Sequence, residues 1–309
     1  MKKFALAAVA AAALTAGGVA QAYTIGTFSN GVVVPNVIHN GDGDVTAVGL
    51  INQQGAPICV TWTFFDQDSN HVTDGRFAMT NKQYRPFIWN PATAGFGLAG
   101  KRGYLVFAAT TAVTGGTCSN GSITTASLAA SAISANAFQV NAAAQTVAFT
   151  PVIDGDLTIV AGTDLTNMGP TSLTNVAGAH TITASSIFNL RYALSSSWDS
   201  TRIAVWSTGN QSGSYTVNIF DDQQTPKSVN FLLDHAELAW FDPSTINGRP
   251  ASYTDGFIEW KPGSVAPTNP VVTNGDDALT VGGSAFAYSV ISSTSFNSTQ
   301  SVLGSVQVQ

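Results

Sequence analysis

Charge is what this sequence has least of. Only 10% of the 309 residues are Asp, Glu, Lys or Arg, where soluble proteins average about a quarter. Glutamate occurs twice, at Glu237 and Glu259, and histidine four times, at His39, His71, His180 and His235. With so few carboxylates, the paired acids of a glycosidase would have to come largely from aspartate. No basic patch exists to displace counterions from phosphates, which excludes nucleic acid as an expected partner. Gly-x-Ser-x-Gly and His-Glu-x-x-His are both missing, so neither a nucleophile elbow nor a zinc-protease helix is encoded.

Cysteine is almost as scarce. Cys59 and Cys118 are the two present, and neither has a second cysteine or a histidine at metal-ligand spacing. An even pair in an exported chain predicts a disulfide. After the first residues, no apolar run approaches the roughly 18 residues of a membrane helix, so no transmembrane anchor is expected.

The amino-terminal run is of another kind. Lys2 and Lys3 precede an uncharged stretch, Phe4 to Leu14, which Gly17-Gly18 breaks before Ala20-Gln21-Ala22. A positive start, a short apolar core and small residues at the last and third-last positions form a secretory leader. Cleavage is expected between Ala22 and Tyr23, and no cysteine follows for lipidation. The mature chain is then secreted or held at the cell surface, with the periplasm as a further address. Loss of two lysines makes its net charge, −6 for the whole sequence, still more negative.

What is abundant is period-2 alternation. Ile58, Val60, Trp62 and Phe64 share one face of a run whose other face carries Cys59, Thr61 and Thr63, the pattern of a half-buried strand. Comparable runs cover 45–51, 103–108, 146–150, 157–160, 202–206, 214–220, 228–233, 256–260 and 285–291. Asn-Gly at Asn30, Asn40, Asn120, Asn247 and Asn274, and Asp-Gly at Asp42, Asp74, Asp154 and Asp255, read as turns between them. Ala126–Phe138 is the best helical candidate, within an Ala/Ser/Thr-rich stretch that reads as a linker or crossover.

One pattern recurs. Ala47-Val48, Asn52-Gln53-Gln54-Gly55, Val60 and Phe64-Phe65-Asp66 return as Ala204-Val205, Asn210-Gln211-Ser212-Gly213, Val217 and Ile219-Phe220-Asp221. A following strand ends near Phe77 in one copy and Phe231 in the other. The expected fold is therefore all-β, two Ig-like or jelly-roll-like sandwiches related by internal duplication. The expected divisions are a signal peptide over 1–22, unit 1 over 23–112, a linker over 113–149 and unit 2 over 150–309.

Trp62-Thr63-Phe64-Phe65-Asp66, Ser69 through Gly75, Lys101 through Phe107 and Thr254 through Trp260 resemble a group of secreted bacterial proteins of mostly-β type. That group carries no assigned activity, so the resemblance implies export and β structure and transfers no functional residue.

Three sets of side chains are weighed for chemistry. Asp66, Asp68 and Asn70 alternate like oxygen ligands for Ca²⁺, yet His71 and Phe77 stand where an EF-hand needs glycine and glutamate. A hairpin turn bonded to its own backbone explains the same residues. His235 and Glu237 lie two apart, as an acid–base pair or a surface hydrogen bond. Trp89 and Trp240, near prolines, could stack on sugar rings or serve packing. Functionally, the sequence points to a non-enzymatic secreted or cell-surface protein, structural or adhesive, with self-association or surface polysaccharide as partners. A carbohydrate-binding protein is the alternative, and a secreted hydrolase a further one.

Overall fold

The computed structural model describes residues 23, 26–39, 44–89, 98–142, 145–194, 200–262, 279, 281–293 and 295–308. The leader with Ala22, and the turns expected at Asn40, Asp42 and Asn274, lie outside them; Tyr23 is the first described residue.

All ten expected runs fall on strands, and the architecture is all-β. The first unit comprises β1 (Gly31–Ile38), β2 (Asp44–Asn52), β3 (Ile58–Asp66), β4 (His71–Met79), β5 (Tyr84–Trp89) and β6 (Arg102–Thr110). A small hairpin, β7 (Val113–Thr114) and β8 (Thr117–Cys118), precedes β9 (Ile133–Asn141), β10 (Thr146–Thr150) and β11 (Ile153–Asp154). A connector follows with β12 (Leu157–Ile159), β13 (Leu173–Val176) and β14 (His180–Thr181). The second unit comprises β15 (Ser186–Ala193), β16 (Ser200–Ser207), β17 (Gly213–Asp221), β18 (Pro226–Leu233) and β19 (Leu238–Phe241). It closes with β20 (Asp255–Trp260), β21 (Ser284–Ser293), β22 (Ser298–Leu303) and β23 (Ser305–Val308).

These boundaries correct the expected ones. Segment 113–149 is no linker, because β9 forms the full-length neighbour of β2 and β10 extends the same sheet. Its alanines serve a different end from helix formation: Ala135 and Ala137 point into a core that leaves room only for small side chains. The expected helix over Ala126–Phe138 is replaced by a single 3-10 turn, Thr125–Ser127, and the start of β9. Asp74-Gly75 is no turn either. It lies within β4, where the missing Cβ lets the Trp62 ring lie across the strand, 2.6 Å from where that carbon would stand.

Sheet I has the order β10-β9-β2-β5 and sheet II the order β11-β1-β6-β3-β4. Sheet III runs β14-β21-β16-β19 with β22 beside β21, and sheet IV runs β18-β17-β20-β15-β23. The β2–β5 pair of sheet I and the β3–β6 pair of sheet II face each other as in a β-sandwich. Strand for strand, β1–β6 and β9–β11 are paired as β15–β20 and β21–β23 are. Local chemistry repeats with the plan. Asn52 Oδ1 accepts from Gln54 N at 2.9 Å, and Asn210 Oδ1 from Ser212 N at 2.9 Å. Asp66 Oδ1 accepts from the N–H groups of Asp68 and Asn70, and Asp221 Oδ1 from those of Gln223 and Thr225. Ser69 and Gln224 close the two turns with φ of 62° and 65°.

The four sheets stack as layers I to IV, with three cores between them. Val32, Val34, Leu105, Phe107, Phe64 and Leu50 fill the first. Val33, Tyr104, Val106, Trp206, Phe286 and Tyr288 fill the second, between the units, with Leu157, Leu165, Met168 and Val176 of the connector. Phe188, Tyr192, Val205, Phe231 and Trp260 fill the third. Sheets II and III are thus covered on both faces, and Tyr104 to Thr110 is buried at every position. Continuous apolar sequence, in place of alternation, marks such strands.

The expected disulfide is present. Cys59 in β3 and Cys118 in β8 are bonded, with Cα atoms 5.1 Å apart, and the bridge ties the 113–132 excursion to sheet II. Across 59 residues it stabilises by about 4 kcal/mol on chain-entropy grounds.

Candidate functional site

The expected calcium loop is the β3–β4 turn, and its carboxylates diverge. Asp66 is saturated by N–H donors: besides the two backbone groups, Asn70 Nδ2 reaches Oδ2 at 3.0 Å. Asp68 points the other way, across to the second unit, where Oδ1 meets His235 Nδ1 at 2.9 Å and Ala236 N at 3.2 Å. Among the described residues, no group of three or more His, Cys, Asp or Glu side chains is placed to hold a metal ion. Gln67 completes the contact. Its carbonyl accepts from Glu237 N and Leu238 N, and its Nε2 donates to Leu238 O at 3.0 Å. The turn is a clasp between units. Its counterpart, Gln223–Thr225, is exposed.

His235 and Glu237 therefore do not work together. His235 belongs to the clasp, while the buried Glu237 carboxylate accepts from the Tyr104 hydroxyl, itself 2.8 Å from Ser69 Oγ. The other histidines are separate. His71 pairs with Asp74 at 3.2 Å, and His180 Nε2 lies 2.8 Å from Ser186 Oγ in a buried site that lowers its pKa. Among the described residues, none of His71, His180 or His235 is bonded to both a carboxylate and a hydroxyl.

The two tryptophans part company. Trp89 is 2% exposed and packs on Phe64 at 4.6 Å between ring centroids, so the structure corrects the sugar-stacking expectation there: β5 turns this ring into the first core. Trp240 is only half-buried and lines a cleft of about 420 Å³, where β9 and β10 of unit 1 meet β16, β19, β21 and β22 of unit 2. Gln139, Asn141 and Thr146 face it from one side, and Ser292, Asn297 and Thr299 from the other.

The charges around this cleft are internally matched. Arg202 pairs with Asp242 at 2.6 Å. Arg102 sits 4.3 Å over the Trp240 ring, a cation–π contact, and Asn36 Oδ1 accepts from its guanidinium. Burial holds the Arg102 pKa down to about 10, against the opposing pull of Tyr288 and Asp44. What remains for a ligand is amide, hydroxyl and one indole ring. Sequence alone flagged Trp240 by its nearness to Pro243; Asn141, Asn297 and Thr299 carry no such signal, since they meet only through the docking of the units.

No known family model, curated protein or solved structure matches this chain. Among the described residues, no helix is long and apolar enough to cross a membrane.

Proposed function

We propose that this chain is a non-catalytic, exported adhesive protein that holds a neutral sugar chain in the cleft between its two units. The observation that carries the reading is Trp240 in a cleft whose polar lining is amide and hydroxyl apart from Arg202, which Asp242 neutralises. Sugar hydroxyls match amide and hydroxyl side chains, the C–H face of a pyranose matches an indole, and a cleft of a few hundred Å³ is of ligand-site size. With Arg102 on one face of the ring, the other is the stacking face. The leader over 1–22 and the Cys59–Cys118 bridge support a place outside the cytoplasm. The shared strand plan and the two matching Asn and Asp turns support descent of the units from one duplicated sandwich.

The test is calorimetric titration and affinity electrophoresis of the mature protein against neutral polysaccharides. Binding is expected, with Trp240→Ala weakening it at least tenfold and Trp240→Phe retaining part of it, each measured well below the variant's own thermal midpoint. Absence of binding across neutral glycans, or binding that ignores Trp240, overturns the reading.

A further inference from the structure

Sheet I has a second face, turned away from the first core. Along β2 it carries Val45, Ala47, Gly49 and Ile51, and the register sets Ile88, Ala47, Phe138 and Phe149 in one row across four strands. Val45, Val140 and Val147 form the next row. Among the described residues, no charged side chain stands on this face. Twelve large hydrophobic residues are conspicuously exposed among those described, and five of them, Tyr84, Ile88, Phe138, Val147 and Phe149, are here. Polar groups gather at one end, where Ser134 and Asn136 of β9 stand opposite Ile51 and Gly49 of β2. A contiguous apolar surface of this kind is an interaction surface.

What covers it is indicated by the second unit. Strand for strand, this face corresponds to the face of sheet III bearing Ala204, Trp206, Phe286 and Tyr288. There the cover is a sheet of the same chain, sheet II. The other free face of the stack, on sheet IV, is a poor match for sheet I. It presents Asn189, Glu259, Asn218 and Ser228 in one row, with Arg191 beside them, and burying that row against valines and phenylalanines would strand polar groups. The uncharged face fits its own like.

We infer that two copies of this chain associate through the outer faces of sheet I, related by a twofold axis, so that the layers run IV-III-II-I-I-II-III-IV. Such an isologous contact closes on itself and stops at a dimer. A four-stranded face of five to nine residues per strand measures about 20 by 25 Å, which is on the scale of one side of a small specific interface. Ala47, low between Ile88 and Phe138, gives the partner's ring somewhere to sit. The dimer places its two Trp240 clefts on one particle, although the inference stands on the sheet face alone and not on what the clefts bind.

Sedimentation velocity of the mature protein from 0.1 to 50 μM tests this, the range bracketing Kd values typical of specific contacts. A concentration-dependent dimer is expected. Phe138→Lys and Val147→Lys, at exposed positions that leave the fold intact, should each weaken it by about a hundredfold or more, because a lysine would be buried without a partner. Ser228→Lys on sheet IV should leave it unchanged. A wild-type monomer at 50 μM overturns the inference. So does an assembly abolished by Ser228→Lys, which would be head-to-tail, or a monomer that co-sediments with phosphatidylcholine vesicles through Phe138, which would make the face a membrane contact.

Discussion

Asp68 and His235 are 167 residues apart in sequence, and their side chains meet at 2.9 Å across the boundary between the units. The same turn in the second unit has Gln223 where Asp68 stands in the first, and there it is exposed. One turn geometry is therefore used once as a solvent loop and once as a clasp.

The clasp should respond to substitution as a coupled pair. Both side chains are about one-third exposed, so solvent screening limits the coupling between Asp68 and His235 to roughly 0.5–1 kcal/mol. Asp68→Asn should cost less than Asp68→Ala, because it keeps an acceptor for Ala236 N. A double-mutant cycle of Asp68→Ala and His235→Ala in urea unfolding measures the coupling; additive losses would show that the pair is indifferent.

Two glycines hold sheets II and IV against their acidic turns. A Cβ on Gly103 would stand 2.0 Å from Phe65 O, and one on Gly256 would stand 1.8 Å from Phe220 O. Gly103→Ala and Gly256→Ala should each destabilise by about 3 kcal/mol, since backbone has to move. Gly55→Ala, in open space at φ +84°, should cost nearer 1 kcal/mol. Equal midpoints for the three variants would refute the close-approach argument.

Acid should affect Asp154 in an unusual direction. This carboxyl is fully buried, and burial pushes its pKa up to about 6, against the pull of the Gly26 and Thr27 N–H groups. Between the ordinary value near 4 and this one, the folded protein holds a proton that the unfolded chain has released. Its contribution is therefore present below about pH 4 and is lost as pH rises through 6. His180, with its pKa lowered by burial, acts in the opposite sense below its ordinary value, so the comparison must be between proteins. Relative to Asp154→Asn, the wild type should lose roughly 3 kcal/mol from pH 4 to pH 7; parallel urea curves would contradict this.

Much of the fold was legible because outer strands alternate. Val217, Ile219 and their neighbours show one apolar face and one of Ser, Thr and Asn, and every such run is a strand. The correspondence of the units was legible in the turns at Asn52 and Asn210 and at Asp66 and Asp221, and in a few strand residues such as Ala47-Val48 and Ala204-Val205. Strands that occupy different layers read differently: β6 is buried on both faces and reads Tyr-Leu-Val-Phe-Ala-Ala, whereas β20, its counterpart in the strand plan, alternates Phe-Ile-Glu-Trp. The linker was misread for the same reason, since Ala-Ser-Thr composition describes a tightly packed β9 as well as it describes a loose chain. The cleft around Trp240 could not be read at all, because it exists only where two units touch.

The pairing of β1 with β11, Val33 opposite Ile153, sets a schedule as well as a shape. The first strand waits some 120 residues for its outer neighbour, and sheet II waits longer for the layer that will roof its far side. Distant pairings of this kind make folding slow, and while it lasts the valine-rich edge of β1 stays open. A chain that folds from its amino terminus as it is made meets that delay at the start, when it has least of itself available to bury.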